Sequence, residues 1–431
     1  MKPRDKELKA ILRDHPEDVD ARRELVRYWM DRGRYGEAER TLDEGLKRTP
    51  NAVGLLESRA DLLISTGRDD EAAAAVDAAV AAGLPAESAS ILRGVLCSNR
   101  KDWAGVFEHL LPLVEQQPDA VDHRLVLARA SLETDDATSA ERHVAHVLRV
   151  APNNCDGHLL MAEALVAQDR FDRASYHADR ALEIEPGSEA AMFVKVACLR
   201  NTKDPQEAAR WLQEWLDNYS RSIAGHFLLA ELYDHAGFLG SAIDVGRRFV
   251  RLSPNDARPR LDLAARLMRA GHRDEAADQA RRALASEPNS IEARLLLASI
   301  AFRQDRYEEM ELHLRGAERI EGHGRESDVI TMRGQLAMSQ RKLDKAESHF
   351  NEAVRIDARN CTAWAGLAAA LERLERFPEA LEAIQKAVEI EPGQPVFRLQ
   401  RADLFQKLGR KDEAEAELKT LELMRRSLSS A

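Results

Sequence analysis

The sequence has few of the residues that would point to catalysis or metal binding. Its 431 residues include four cysteines, and no two of them stand in Cys-x-x-Cys spacing, so a sequence-readable zinc or redox motif is absent. GxSxG, HExxH and glycine-rich phosphate-loop motifs are also absent. Aromatic residues make up only 5% of the chain. We therefore expect no enzyme, no metal and no cofactor.

The chain also lacks a long apolar run. Its first 18 residues, MKPRDKELKAILRDHPED, are too charged for the apolar core of a signal peptide. The most apolar stretch, Ala72 to Ala82, is short and interrupted by Asp77, so it cannot span a bilayer. Few, scattered cysteines fit a reducing compartment. These features predict a cytoplasmic protein that does not insert into a membrane.

Excess positive charge is missing as well. The formal net charge is −11, which disfavours binding to the phosphate backbone of nucleic acids. Acidic and basic residues alternate along the chain, as on a solvated helical surface. Alanine, leucine, glutamate and arginine abound, and their side chains lose little rotamer freedom in a helix.

What the sequence does have is a period of 34 residues. One column of mostly alanines contains Ala38, Ala72, Val106, Ala140, Ala174, Ala208, Ala242, Ala276, Met310, Ala346, Ala380 and Ala414. Twelve residues before each lies a second column of small residues, from Val26 and Ala60 to Ala402. Proline recurs twelve residues after seven of them, as at Pro50 and Pro392. Small residues at these places let two helices approach closely.

These columns resemble the tetratricopeptide repeat, in which small residues occupy repeat positions 8 and 20 and proline occupies position 32. The resemblance covers residues 19–428 and implies an all-α, right-handed superhelical solenoid of about twelve 34-residue helix-turn-helix repeats. We number positions from residue 19 and call the two helices of a repeat A and B. Residues 1–18 are expected to form an N-terminal capping helix and 429–431 a tail.

One break in the period divides the predicted repeats. Repeats one to nine are assigned to residues 19–324 and repeats ten to twelve to 327–428. The two extra residues, 325–326, lie in the segment EGHGRESD. This insertion is either a joint between two parts of the solenoid or a loop extension without structural effect.

Histidine is the one residue type whose pattern needs a decision about metal binding. His109, His143 and His177 share position 23 in consecutive repeats. Zinc holds its histidine ligands at about 2.0–2.1 Å, whereas packed helices lie about 8–10 Å apart. Equivalent residues of neighbouring repeats therefore cannot share an ion, and we interpret these histidines as structural.

Helix A is expected to carry the binding surface. In tetratricopeptide proteins this helix lines a concave groove, and members that bind the carboxylate of heat-shock chaperones use asparagine at position 6. No asparagine occurs at position 6 here, so the resemblance excludes a chaperone clamp. The predicted partner is a protein or peptide bound in the groove, with neither nucleic acid nor membrane.

Positions 5 and 6 are apolar in five consecutive repeats. The candidate contact residues in this strip are Leu92, Val126, Leu160, Phe193, Val194, Phe227 and Leu228. One interpretation is an exposed apolar strip along the groove, larger than a monomer usually shows. The other is that adjacent A helices pack together and bury the strip.

Position 13 becomes basic in the second half of the chain, with Arg269, Arg303, Arg373 and Lys407. An acidic peptide segment could bind to these cations. Alternatively they are ordinary solvated side chains paired with neighbouring acids such as Glu292 and Asp328.

Together these patterns predict a non-catalytic scaffold or adaptor that presents a groove to a protein partner. The alternative is a self-associating assembly protein in which the apolar strip forms an oligomer interface.

Overall fold

The computed structural model describes residues 4–202, 205–320 and 326–429, and within these ranges the regular structure is entirely helical. The two extra residues of the predicted joint fall partly outside them, because residue 325 is not described. Helix α1 spans Arg4–Asp14. Twelve A helices follow: α2 (Val19–Met30), α4 (Val53–Ser65), α6 (Ala86–Asn99), α8 (Val121–Glu133), α10 (Cys155–Val166), α12 (Glu189–Thr202), α14 (Ile223–His235), α16 (Ala257–Arg269), α18 (Ile291–Arg303), α20 (Glu326–Ser339), α22 (Cys361–Arg373) and α24 (Pro395–Lys407).

Each A helix is followed by a B helix. These are α3 (Tyr35–Arg48), α5 (Asp69–Ala81), α7 (Trp103–Gln116), α9 (Ala137–Val150), α11 (Phe171–Ile184), α13 (Pro205–Asn218), α15 (Leu239–Leu252), α17 (Arg273–Ser286), α19 (Tyr307–Glu318), α21 (Leu343–Ile356), α23 (Phe377–Ile390) and α25 (Lys411–Ser429). The predicted all-α solenoid of about twelve helix pairs is confirmed.

The chain forms two compact units, residues 1–220 and residues 221–431. Within each unit the B helix of a repeat packs on its own A helix and on the A helix of the next repeat. In the first unit, α1 buries Leu8 against Ala21, Leu25 and Trp29 of the first repeat. In the second unit, α20 packs on α18 and α19, so stacking continues across the segment that contains the extra residues.

The two small-residue columns lie where helices A and B of one repeat meet. Both columns are buried in all twelve repeats. Two glycines at position 8 show how strict the requirement is: an added Cβ would lie 2.5 Å from a Leu110 atom at Gly94 and 2.6 Å from a Phe350 atom at Gly334. The absent side chain therefore makes room for a large residue on helix B.

The A–B turn has one conformation in the eleven repeats whose position 15 is described. Position 15 adopts a left-handed backbone with φ between 56° and 83°. Glycine supplies this conformation at Gly33 and four later turns, but Asp135, Glu375 and four other non-glycine residues adopt it too. Helix packing thus imposes the turn geometry, even at residues for which a positive φ is unfavourable.

A hydrogen bond that the sequence did not reveal connects successive repeats. In seven repeats the side chain at position 4 donates to the carbonyl six residues earlier, over 2.5–3.0 Å. This carbonyl lies at position 32 of the preceding repeat or, for Arg22, at Pro16 after α1. The donors are Arg22, Arg124, His158, Arg260, Arg294, Trp364 and Arg398. Each bond satisfies a carbonyl beyond the end of helix B, where no intrahelical donor is available.

Candidate functional site

The apolar strip predicted on helix A is buried at two of its members. Leu92 is 6% exposed and Leu160 is 4% exposed, so the expectation that they face a groove is wrong. Leu160 packs with Ala128 of α8 and Cys198 of α12. Adjacent A helices contact one another along the stack and close over position 6. Burial between neighbouring repeats is the correct interpretation for these two leucines.

The other members of the strip are more open. Val126 and Val194 are half-buried against the cores of the first unit. Phe193, at position 5 of α12, is 42% exposed. In the second unit Phe227 and Leu228 are half-buried, and the Phe227 ring meets that of Phe249 edge to face at 6.1 Å. Phe193 is therefore the strip residue that offers most of its ring to a partner.

Two of the four position-13 cations are held by acids at position 12 of the preceding repeat. Arg269 pairs with Asp234 of α14. Lys407 pairs with Glu372 of α22 and, over 2.6 Å, with Asp403 of its own helix. Position-12 acids, rather than the expected Glu292 or Asp328, are the partners. Ion pairing leaves these two cations poorly available to a ligand.

Arg303 and Arg373 differ, since both are exposed and neither side chain has an ion-pair or hydrogen-bond partner among the described residues. The reason lies one repeat earlier. Position 12 of the preceding repeat is Met268 for Arg303 and Met338 for Arg373, so the acid that serves Arg269 and Lys407 is missing. The predicted basic series thus contains two neutralised cations and two free ones.

A buried arginine that the sequence analysis missed binds Asp234, the acid that pairs with Arg269. Arg266 of α16 is only 4% exposed and donates to Asp234 over 2.6 Å and to Glu231 over 3.0 Å. Asp234 therefore bridges Arg266 and Arg269. A buried guanidinium is tolerated here because two carboxylates share its charge. The sequence did contain a signal for this buried residue, because Arg266 stands at position 10 between core positions of helix A.

The A helices of repeats one and two enclose a cleft of about 560 Å³. It is lined by Asp20, Arg23, Glu24, Val26, Arg27, Met30, Asp31, Ser58, Asp61 and Ser65. Arg23 pairs across it with Glu57 over 2.7 Å. The surrounding helices displace water from the Asp61 carboxylate, and together with the nearby charge of Glu57 this raises its pKa to about 6, against the opposing influence of Arg27. The cleft is polar and carries both signs of charge.

Burial shifts the pKa of several histidines and cysteines in the described residues. No group of three or more His, Cys, Asp or Glu side chains there has the geometry to hold a metal ion. Burial lowers the pKa of His143 and, assisted by His158, lowers that of His177 to about 4. Burial raises the pKa of the Cys198 thiol to about 11, which leaves it in the unreactive thiol form.

Within the described ranges, no helix is both long and apolar enough to cross a bilayer.

Stacked helix pairs with two small-residue columns and a periodic helix-A face define an α-solenoid repeat protein. Sequence models of the tetratricopeptide repeat match residues 6–53, 24–87, 159–223, 261–320 and 331–395, and a second model of this repeat matches 373–427. The chain belongs to the tetratricopeptide repeat family. Repeats of this family generally serve protein–protein interaction.

The solved structures that match this chain share little sequence with it. The Cut9–Hcn1 tetramer of the APC/C has a TM-score of 0.44 and 14% identity, covering 97% of this chain and 89% of that one. Yeast Tom70 has a TM-score of 0.47 and 15% identity, covering 86% and 91%. A tetratricopeptide repeat protein from Parabacteroides merdae has a TM-score of 0.49 and 15% identity, covering 58% and 98%. No curated protein matches the sequence.

Proposed function

We propose that this protein is a non-catalytic scaffold that binds a protein partner along the helix-A face of its second unit, where Arg303 and Arg373 hold an acidic segment. The observation that carries the proposal is the contrast within position 13. Arg269 and Lys407 have acidic partners, whereas Arg303 and Arg373 are exposed without any among the described residues. Exposed guanidinium groups are well suited to bind carboxylates through two parallel hydrogen bonds.

The surface beside these arginines is apolar and adaptable. Position 12 carries the half-buried side chains Met268, Phe302 and Met338. Methionine is flexible and polarisable, so it adjusts to different apolar ligands. Apolar anchors usually supply most of the affinity, while the arginines set orientation and association rate. The favoured ligand therefore combines acidic and apolar residues.

The stacking of the repeats sets the spacing of the acids. Arg303 on α18 and Arg373 on α22 are separated by one intervening A helix, α20, which packs on both. Helices pack about 8–10 Å apart, so the two arginines are roughly 16–20 Å apart along the face. An extended peptide advances about 3.3 Å per residue. Two acidic side chains about five or six residues apart should reach both arginines.

A peptide series tests this proposal. Fluorescent peptides with two glutamates separated by two to eight residues, and with apolar residues between them, are titrated against the full chain. We expect the tightest binding at separations of five or six, and weaker binding at higher salt. Arg303→Gln with Arg373→Gln should weaken binding at least tenfold. The matched control, Arg269→Gln with Lys407→Gln, changes the same positions in ion-paired repeats and should leave affinity nearly unchanged. Equal losses in both double variants, or affinity independent of spacing, would contradict the proposal.

Phe193 is the residue we propose as an apolar contact in the first unit, because it retains the largest exposure within the predicted strip. Self-association through that strip has less support, since the burial of Leu92 and Leu160 removes two of its contact residues. Light scattering separates the two functions. A scaffold gives the mass of one chain, and Phe193→Asp leaves that mass unchanged; an assembly protein gives a multiple that falls in the variant.

A further inference from the structure

A second cleft, on the opposite side of the first repeat, has a chemistry that the scaffold function does not use. Its volume is about 450 Å³, and it lies between α1 and α3 with α2 as its floor. It is lined by Lys9, Leu12, Arg13, Pro16, Arg22, Leu25, Trp29, Glu37, Arg40, Thr41, Glu44 and Arg48. Five of these side chains are cationic and two are anionic. The volume falls within the usual range for small-molecule sites, about 300–1,000 Å³.

Arg22 is the buried charge of this cleft. It is 5% exposed and donates to the carbonyls of Pro16 over 2.7 Å and Thr41 over 3.1 Å. Its nearest carboxylate, Glu44, lies 3.8 Å away and is itself 74% exposed. Buried charges are normally paired closely, so this guanidinium is only partly neutralised.

The position of Arg22 is built into the fold. A Cβ added at Gly45 would lie 2.3 Å from the Arg22 Cδ atom. Because Gly45 of α3 has no side chain, the aliphatic part of the Arg22 side chain fits against this helix. A bulkier residue there would displace the guanidinium from the cleft.

The remaining charges of the cleft do not neutralise Arg22. Glu37 is already bonded to Arg34, which does not line the cleft. Arg40 and Arg48 have no ion pair among the described residues. Burial, opposed by Glu44 and reinforced by the positive charge of Arg48, lowers the pKa of Arg22. Lys9 and Arg13 pair with Asp5 and Asp14 outside the cleft, so Arg40 and Arg48 are its unpaired cations among the described residues.

An apolar floor accompanies these cations. Leu12, Leu25 and Trp29 line the cleft beside Pro16. The Trp29 ring is only 4% exposed, because the Lys9 ammonium and the Arg34 guanidinium lie 4.9 Å and 4.5 Å from its centre. The half-buried side chains of Leu12 and Pro16 therefore supply the accessible apolar surface. A ligand that carries negative charge at one end and a flat apolar group at the other fits both features.

We propose that the cleft formed by Lys9, Arg22, Trp29, Arg40 and Arg48 binds a phosphate group attached to an aromatic ring. A phosphate monoester carries up to two negative charges and accepts several hydrogen bonds, which suits clustered arginines better than a single carboxylate does. The ring would pack on Leu12 and Pro16. The shared chemistry is an aryl phosphate, either a free small molecule or a phosphorylated tyrosine side chain.

The corresponding cleft of repeat eleven serves as an internal comparison. It lies between α21 and α23, has a volume of about 380 Å³ and includes Glu347, Glu379, Glu382 and Trp364. Its Arg376 is already bonded to Glu347 over 2.8 Å and to Glu379 over 2.7 Å. The cavity of repeat eleven therefore has its arginine already neutralised, whereas Arg40 and Arg48 of the first cavity have no ion pair among the described residues.

Calorimetric titration of the full chain with phenyl phosphate tests the site. We expect one saturable site, weaker binding of inorganic phosphate because it lacks the ring, and no binding of phenol. Arg40→Gln with Arg48→Gln should weaken phenyl phosphate binding at least tenfold while the helical circular dichroism and melting temperature stay near those of the parent. Lys386→Gln, in the cleft of repeat eleven, is the matched control and should bind like the parent.

A phosphotyrosine peptide and its unphosphorylated form distinguish the two sources of the ligand. Tighter binding of the phosphopeptide than of phenyl phosphate assigns the site to a phosphorylated protein, and the reverse assigns it to a free aryl phosphate. Absence of saturable phenyl phosphate binding at several millimolar, or equal affinity of parent and Arg40→Gln/Arg48→Gln, would overturn the proposal. Neither result affects the helix-A face, which is tested with Arg303 and Arg373.

Discussion

The Nδ1 atoms of His158 and His177 lie 3.0 Å apart, joining helices A and B of the fifth repeat. The Pro152 carbonyl, 2.9 Å from Nε2 of His158, can only accept, so His158 carries its proton on Nε2 and leaves Nδ1 as an acceptor. His177 then donates its Nδ1–H. This N–H···N bond excludes protonation of both rings at once, and burial together with His158 lowers the pKa of His177 to about 4.

The histidine pair should make the first unit less stable in mild acid. The pKa of His177 falls from 6.5 in the unfolded chain to about 4 in the folded one, so the unfolded state binds more protons between these values. Stability is therefore complete above about pH 6.5 and decreases as the pH falls towards 4. Between pH 7 and pH 5 we expect a loss of about 1–2 kcal/mol. Thermal melts of the parent and of His177→Gln at both pH values measure it.

His15→Gln, which changes an exposed histidine of the same unit, is the control for that experiment. Asp61 acts in the opposite direction, because its raised pKa lets the folded state bind the additional proton as the pH falls through 6. The comparison between variants cancels this contribution. If His177→Gln loses as much stability in acid as the parent and His15→Gln, the neutral histidine pair is not the cause.

Removing one position-4 hydrogen bond should weaken the contact between two repeats. Trp364 donates its indole N–H to the Ala358 carbonyl over 3.0 Å. Trp364→Phe keeps most of the ring and removes the donor, so it should lower the free energy of unfolding by about 0.5–1.5 kcal/mol. Urea denaturation followed by circular dichroism measures the change. Trp103→Phe is the control, since the Trp103 indole has no hydrogen-bond partner among the described residues; equal losses in both variants would assign the effect to ring volume.

The left-handed turns predict that two substitutions in the second unit change the stability in opposite directions. Glu375 has a φ of 64° and Gly409 a φ of 74° at the same repeat position. A residue with a Cβ is strained in this conformation, so Glu375→Gly should raise stability by about 1 kcal/mol and Gly409→Ala should lower it by a similar amount. Differential scanning calorimetry reports both shifts. Shifts of the same sign would show that the strain is not decisive.

The sequence by itself determined the helix pairs and their repeat. Small residues at positions 8 and 20, such as Ala162 and Ala174, recur because helices A and B approach closely there, and this short-range requirement is visible in one chain. Glycine at position 15 likewise revealed the turn at Gly33. The charge pattern indicated a basic second half of the helix-A face.

Only the tertiary structure decided which residues of the helix-A face are available to a partner. Leu160 is core and Phe193 is exposed, although both occur in the same apolar run, because burial depends on how the neighbouring A helix packs. Arg269 is neutralised because position 12 of the preceding repeat is Asp234. Arg303 is free because the same position before it is Met268. Such contacts join residues about 34 positions apart, and their partners are defined only once the repeats stack.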